Sequence, residues 1–81
     1  MGIVNLRDAI ILSFLKDGTK TRKEIVQSLG AGNEITARSL GFLKKSGFVE
    51  KRNIKGDELY LITDNGRKSI ENIYRKLSVA A

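Results

Sequence analysis

Apolar residues return every three or four positions between Leu6 and Leu15. Leu6, Ile10 and Phe14 form one stripe; Ala9, Ile11 and Leu15 form another. That spacing predicts an amphipathic helix with a wide buried face. Asn5 stands at its capping position, Asp8 favours its positive end, and Asp17-Gly18 stops it. Thr21-Arg22-Lys23-Glu24 has the order of a capping box, with Ile25, Val26 and Leu29 as the apolar face of a second, short helix. Gly30 then supplies a residue able to turn left-handed. Thr19 and Lys20 read as a short extended link before it. A third helix is predicted over about 33–46, with Gly47 as its stop. There the period changes. Residues 48–54 and 58–62 read as two strands joined by Lys55-Gly56-Asp57, a hairpin. Thr63 caps a last helix with Asp64 in its first turn, and Ile70, Ile73, Tyr74 and Leu77 make an i, i+3, i+4, i+7 stripe. The order helix, helix, helix, hairpin, helix predicts an α+β chain. No linker or repeat divides it, so residues 1–81 read as a single domain.

Composition narrows the chemistry. The 81 residues carry 15 Lys plus Arg against 9 Asp plus Glu, a net charge of +6. That excess favours a polyanion, nucleic acid before membrane, although charge also serves solubility. Histidine and cysteine are absent. Disulfides, thiolate zinc sites and the commonest general base are therefore excluded. The run Ala9-Ile10-Ile11-Leu12 lies between Asp8 and Lys16, interrupted by Ser13, so it reads as neither signal peptide nor membrane span. The expectation is a cytoplasmic, nucleoid-associated protein.

Gly30-Ala31-Gly32 poses a choice between a phosphate-cradling loop and a turn. A dinucleotide loop needs a preceding strand and a third glycine. Here a capped helix precedes Gly30, Ile35 stands in place of the third glycine, and no P-loop lysine follows. The glycines therefore read as the tight turn of a helix-turn-helix. Ile25, Leu29, Gly30, Thr36, Leu40, Leu43, Gly47, Phe48, Val49 and Arg52 fall where winged helix-turn-helix regulators of the bacterial and archaeal type carry their signature residues. Leu61-Ile62-Thr63-Asp64-Asn65-Gly66-Arg67 resembles the Leu-Thr-x-x-Gly-Arg that closes the wing and opens the last helix in those proteins. The resemblance covers Leu6 to Leu77. It implies a three-helix core with a β-hairpin wing and a C-terminal helix.

The resemblance also gives the third helix a role in the major groove. At about 100° per residue, Ile35, Thr36, Ser39, Leu40, Phe42 and Leu43 share the face expected to pack inward. Glu34, Ala37, Arg38, Gly41, Lys44 and Lys45 share the other. Arg38 is central there, and arginine is the commonest bidentate reader of guanine edges. Ala37 and Gly41 beside it would let the helix approach base pairs; alternatively, Gly41 admits another part of this protein. Glu34 either pairs with Arg38 or accepts from cytosine, and Asn33 either caps the helix or touches DNA. The resemblance places the wing, about 51–57, on the DNA backbone or in the minor groove. Lys51, Arg52, Asn53 and Lys55 then become candidate contacts, diluted by Asp57 and Glu58. Arg22 and Lys23 add basic charge at a helix N-terminus, where phosphate is favoured.

Catalysis is not expected. Without His or Cys it would need paired carboxylates or a Ser-Lys pair, and no such set is assignable. No metal, cofactor or small-molecule ligand is expected either. The expected partners are double-stranded DNA and a second copy of the chain, with Ile70, Ile73, Tyr74 and Leu77 as the dimer interface. The rival reading is a winged-helix module that binds another protein within an assembly.

Overall fold

The computed structural model describes the backbone of residues 5–80 and the side chains of residues 5–76. Four helices and three strands follow in the order α1 (Leu6–Lys16), β1 (Lys20–Thr21), α2 (Arg22–Leu29), α3 (Asn33–Lys45), β2 (Val49–Ile54), β3 (Asp57–Ile62) and α4 (Asp64–Ala80). The predicted link at residues 19–20 is a strand at Lys20–Thr21: β1 pairs antiparallel with β3, giving the sheet order β1-β3-β2. The architecture is α+β.

Local chemistry explains most element boundaries. The Asn5 side chain accepts from the Asp8 N–H at 2.8 Å and starts α1. In α2 the capping box is complete: the Glu24 N–H donates to Thr21 Oγ1 at 3.1 Å, and the Thr21 N–H donates to Glu24 Oε1 at 2.8 Å. Such a cap stabilises a helix by about 1 kcal/mol. Gly30 closes α2 at φ 70°, in the left-handed region. At α3, Gly32 is the capping residue and makes no side-chain bond. Asn33 is therefore the first helical residue and not the cap. The Thr36 hydroxyl donates to the Gly32 carbonyl at 2.7 Å, beside the Thr36 N–H that donates to the same oxygen at 3.2 Å.

The core gathers Ile11, Leu12 and Leu15 of α1, Ile25 of α2, Leu40 and Leu43 of α3, Val49, Tyr60 and Ile62 of the sheet, and Ile70 of α4. Burying a side chain such as Leu12 contributes roughly 1.5–3 kcal/mol. Two expected inward faces are narrower than their sequence suggests. Leu6 is 78% exposed and Ile10 42%. α1 carries apolar residues around most of its circumference, and it docks through Asp8, Ile11, Leu12 and Leu15. On α3, Thr36, Ser39, Leu40 and Leu43 are buried, whereas Ile35 is 40% and Phe42 47% exposed. Both lie at the edge of the apolar arc and are only partly covered.

No helix among the described residues is long and apolar enough to cross a membrane.

Candidate nucleic-acid interface

α3 presents Glu34, Arg38, Gly41, Lys44 and Lys45 outward, with Ala37 half-buried at the margin. A Cβ built on Gly41 would meet nothing within 4 Å. No described part of this protein packs there, so the alternative in which Gly41 admits an internal neighbour is removed. The helix backbone is open to an outside partner beside Arg38. Arg38 Nη2 stands 3.9 Å from Glu34 Oε1, with both side chains largely in solvent. A pair of that kind is worth a few tenths of a kcal/mol and leaves the guanidinium available.

Two grooves connect α3 with the hairpin. One is lined by Arg22 and Lys23 of α2, Asn33 of α3, and Gly56, Asp57 and Glu58 of the wing. The other is lined by Lys44 of α3 and by Glu50, Lys51 and Arg52 of β2. Basic side chains from α2, the end of α3 and β2 thus line these two grooves, beside the acids Glu50, Asp57 and Glu58. Arg52, Asn53 and Lys55 are exposed along it. Arg52 approaches Glu50 only loosely, at 3.9 Å.

Lys51 and Arg22 depart from the expectation of free cations. Lys51 Nζ donates to Glu58 Oε1 at 2.9 Å, and Arg22 Nη1 donates to Glu58 Oε2 at 3.3 Å. The pair register explains the first contact. Asn53 lies opposite Glu58 and Lys51 opposite Tyr60, so Lys51 and Glu58 are diagonal neighbours on one face of the hairpin. That face also bears buried Val49, Tyr60 and Ile62. Lys51 and Glu58 therefore continue the core outward as a polar layer. The Lys51 ammonium, and then Arg22, hold the Glu58 carboxyl below its ordinary range; Glu58 in return raises the Lys51 ammonium.

Sequence reasoning missed three side chains beside Arg38. Asn5, Arg7, Asp8, Ser39 and Phe42 line a depression with it between α1 and α3. Phe42 and Ile35 carry apolar surface next to the outward face of α3, and Arg7 adds a cation. The sequence signal was available for Arg7, as part of the net basic charge, but not for Phe42, which periodicity assigned to the core. Beneath them Asp8 is buried, its Oδ1 without a hydrogen-bond partner among the described residues. Burial raises its carboxyl above the ordinary value, against opposing pulls from the Ser39 hydroxyl and Arg7.

The proposed dimer residues separate. Ile70 is fully buried in the protomer's own core and Ile73 packs against that core. Ile70 is thus withdrawn from the interface, because its stripe closes the domain. Tyr74 remains exposed, its hydroxyl paired with Ser13 Oγ and its ring beneath Lys16 Nζ at 5.1 Å. The Leu77 side chain lies outside the described residues. Among those residues no group of His, Cys, Asp and Glu is placed to hold a metal ion.

No protein-family model matches the chain, and no curated protein does. Solved structures do. BpsR of Bordetella bronchiseptica, whose DNA binding is regulated by 6-hydroxynicotinic acid, superposes with a TM-score of 0.81 at 17% identity over 86% of this chain. The match spans 53% of BpsR, about half its length. The transcriptional repressor BigR of Xylella fastidiosa gives a TM-score of 0.77 at 22% identity, covering 94% of this chain and 76% of BigR. Mb0332 of Mycobacterium bovis, solved as a homodimeric winged helix-turn-helix DNA-binding domain, gives 0.74 at 23% identity, covering 95% of this chain and 68% of that one. The fold is the winged helix-turn-helix.

Proposed function

We propose that the protein binds double-stranded DNA sequence-specifically and regulates transcription. α3 enters the major groove and the wing, about 51–57, lies on the backbone or in the minor groove. One observation carries this reading: the outward face of α3 is sterically open at Gly41 beside a weakly held Arg38, with basic side chains lining the grooves that join it to the wing. Arg38 reads a base edge. Lys44, Lys45, Arg52 and Lys55 neutralise phosphates, and Lys23 and Asn33 fix the start of the helix against the backbone. The DNA-binding descriptions of BpsR and Mb0332 support the same assignment.

A second copy of the chain is the accompanying partner. Leu6, Ile10 and Ser13 form one stripe of α1, and Ser13 meets Tyr74 of α4. Exposed Leu6, Ile10 and Tyr74 thereby offer an apolar surface across α1 and α4, in place of the buried Ile70. The homodimeric state of Mb0332 supports a second copy as partner. Two-fold pairing would bring two recognition helices to adjacent turns of one DNA face.

The deciding experiment is binding-site selection from random duplex DNA, followed by affinity measurement across a salt series. An enriched motif with two related half-sites, and affinity falling as salt rises, is the expected result. Recovery of unselected sequence with no salt-dependent affinity would reject the assignment and leave the protein-interaction module.

A further inference from the structure

Glu58 links two elements that are distant in the chain. Its two carboxylate oxygens receive Arg22 from the first turn of α2, at 3.3 Å, and Lys51 from β2, at 2.9 Å. All three side chains are largely covered, at 29–36% exposure. Arg22 and Glu58 line the groove formed by α2, the start of α3 and the wing tip, and Lys51 lines the other groove, with Lys44 and Arg52. Arg22 Nε is buried and has no hydrogen-bond partner among the described residues. A guanidinium offers five donors and an ammonium three, so Glu58 leaves part of this pair's donor capacity unused.

A carboxylate and a phosphate present similar oxygen geometry to these cations. We infer that Glu58 is an internal substitute for a DNA phosphate, and that it sets the strength of sequence-independent binding by withholding Arg22 and Lys51 from the backbone. The inference rests on the DNA-binding reading above. Its physical basis is competition. A phosphate approaching either groove meets a cation already engaged by Glu58, whose single negative charge lowers the three-residue cluster from +2 to +1. Counterion release then counts Lys44, Lys45, Arg52 and Lys55 but not Arg22 or Lys51. Weak backbone affinity is useful to a protein that must find one site among many non-specific ones. An unfavourable element that lowers off-target binding is a recurrent means to that end.

The test measures affinity for a random-sequence duplex and for the selected site over a salt series. Glu58→Gln keeps the shape of the side chain and one of its two acceptors and removes its charge. Its expected effect is a log K against log salt slope steeper by about 1–2 and roughly tenfold tighter binding to both duplexes at moderate salt. Glu71→Gln on the exposed surface of α4 makes the same change in net charge; its slope should stay at the wild-type value. Arg22→Gln and Lys51→Gln in the otherwise unaltered protein should also leave the slope unchanged, whereas Arg52→Gln should lower it by about 1. Should Glu58→Gln fail to fold, Glu58→Ser makes the same charge change and is expected to steepen the slope by the same amount. In the Glu58→Gln background, Lys51→Gln should lower the slope by about 1. A purely structural clamp would change thermal stability and leave these slopes alone. An unchanged slope in Glu58→Gln, an equal increase in Glu71→Gln, or a lower slope in Lys51→Gln alone would each overturn the inference. Wild-type protein with no salt-dependent duplex binding would instead overturn the DNA-binding reading.

Discussion

Thr63 and Gly47 are joined by a hydrogen bond of 2.6 Å, from the threonine hydroxyl to the glycine carbonyl, across 16 positions of chain. The same hydroxyl accepts from the Gly66 N–H at 3.1 Å, and the Thr63 N–H donates to the Phe48 carbonyl at 3.0 Å. The exit of α3 and the start of α4 are thus fastened by one side chain and its own backbone. The approach is close enough that a Cβ on Gly66 would overlap the Phe48 carbonyl oxygen and stand 2.7 Å from Ile62 Cγ1. Gly66→Ala is expected to destabilise the fold by about 3 kcal/mol, since backbone must move to admit the methyl group. Thr63→Val, which keeps the shape but loses the cap, should cost about 1 kcal/mol. Chemical denaturation measures both; a Gly66→Ala midpoint equal to wild type would refute the steric account.

Arg38→Ala tests the reading face. Its pair with Glu34 is long and exposed, so thermal stability should hardly change. Affinity for the selected site should fall by about 1–3 kcal/mol, with relaxed preference at one base position. Equal loss on selected and random duplexes would reduce Arg38 to a phosphate contact.

Asp8 makes stability depend on pH in a direction opposite to that of most carboxylates. Burial raises its folded-state carboxyl above the ordinary value of 3.8. Its contribution is complete below that value and is lost as pH rises through the raised one, because the buried charged form is disfavoured. Asp8→Asn should therefore raise the melting temperature at pH 7 relative to wild type. The difference should disappear near pH 3, where the wild-type residue is also neutral. The carboxyls of Glu24 and Glu58 are shifted downward, but their shared contribution largely cancels in the comparison. A difference that is the same at both pH values would assign the effect to packing or to the helix dipole.

The surface of Leu6, Ile10 and Tyr74 can be separated from the core stripe of α4. Leu6→Glu with Tyr74→Glu should leave a folded protomer and abolish a dimer in sedimentation at micromolar concentration. Ile70→Ala should cost about 2–5 kcal/mol and act on folding itself. A wild-type protein that sediments as a monomer at high concentration would remove the dimer from the proposal.

Much of this architecture was readable because its determinants are local. The Asn5 cap, the Thr21–Glu24 box and the stops at Gly30 and Gly47 each act within a few residues. The hairpin announced itself by the change of period at Phe48. What periodicity could not decide was which side of an element docks when apolar residues surround it. Leu6 and Ile10 therefore looked like core, as did Ile35 and Phe42, while buried Ile70 looked like a possible interface. The pairing of Lys20 and Thr21 with β3 was hidden because a two-residue strand carries no repeat. Glu58 was visible as charge near the wing, but its bond to Arg22 spans 36 positions and depends on how the hairpin sits over α2.

Lys55 occupies the two-residue turn of the hairpin at φ 52°, followed by Gly56 at φ 87°. A left-handed backbone costs a lysine about 1–2 kcal/mol relative to glycine. The wing tip therefore carries its cation at the expense of the turn. Lys55→Gly should give a more stable domain with a poorer grip on phosphate, so selection for melting temperature alone would drift away from the DNA-binding activity proposed for it.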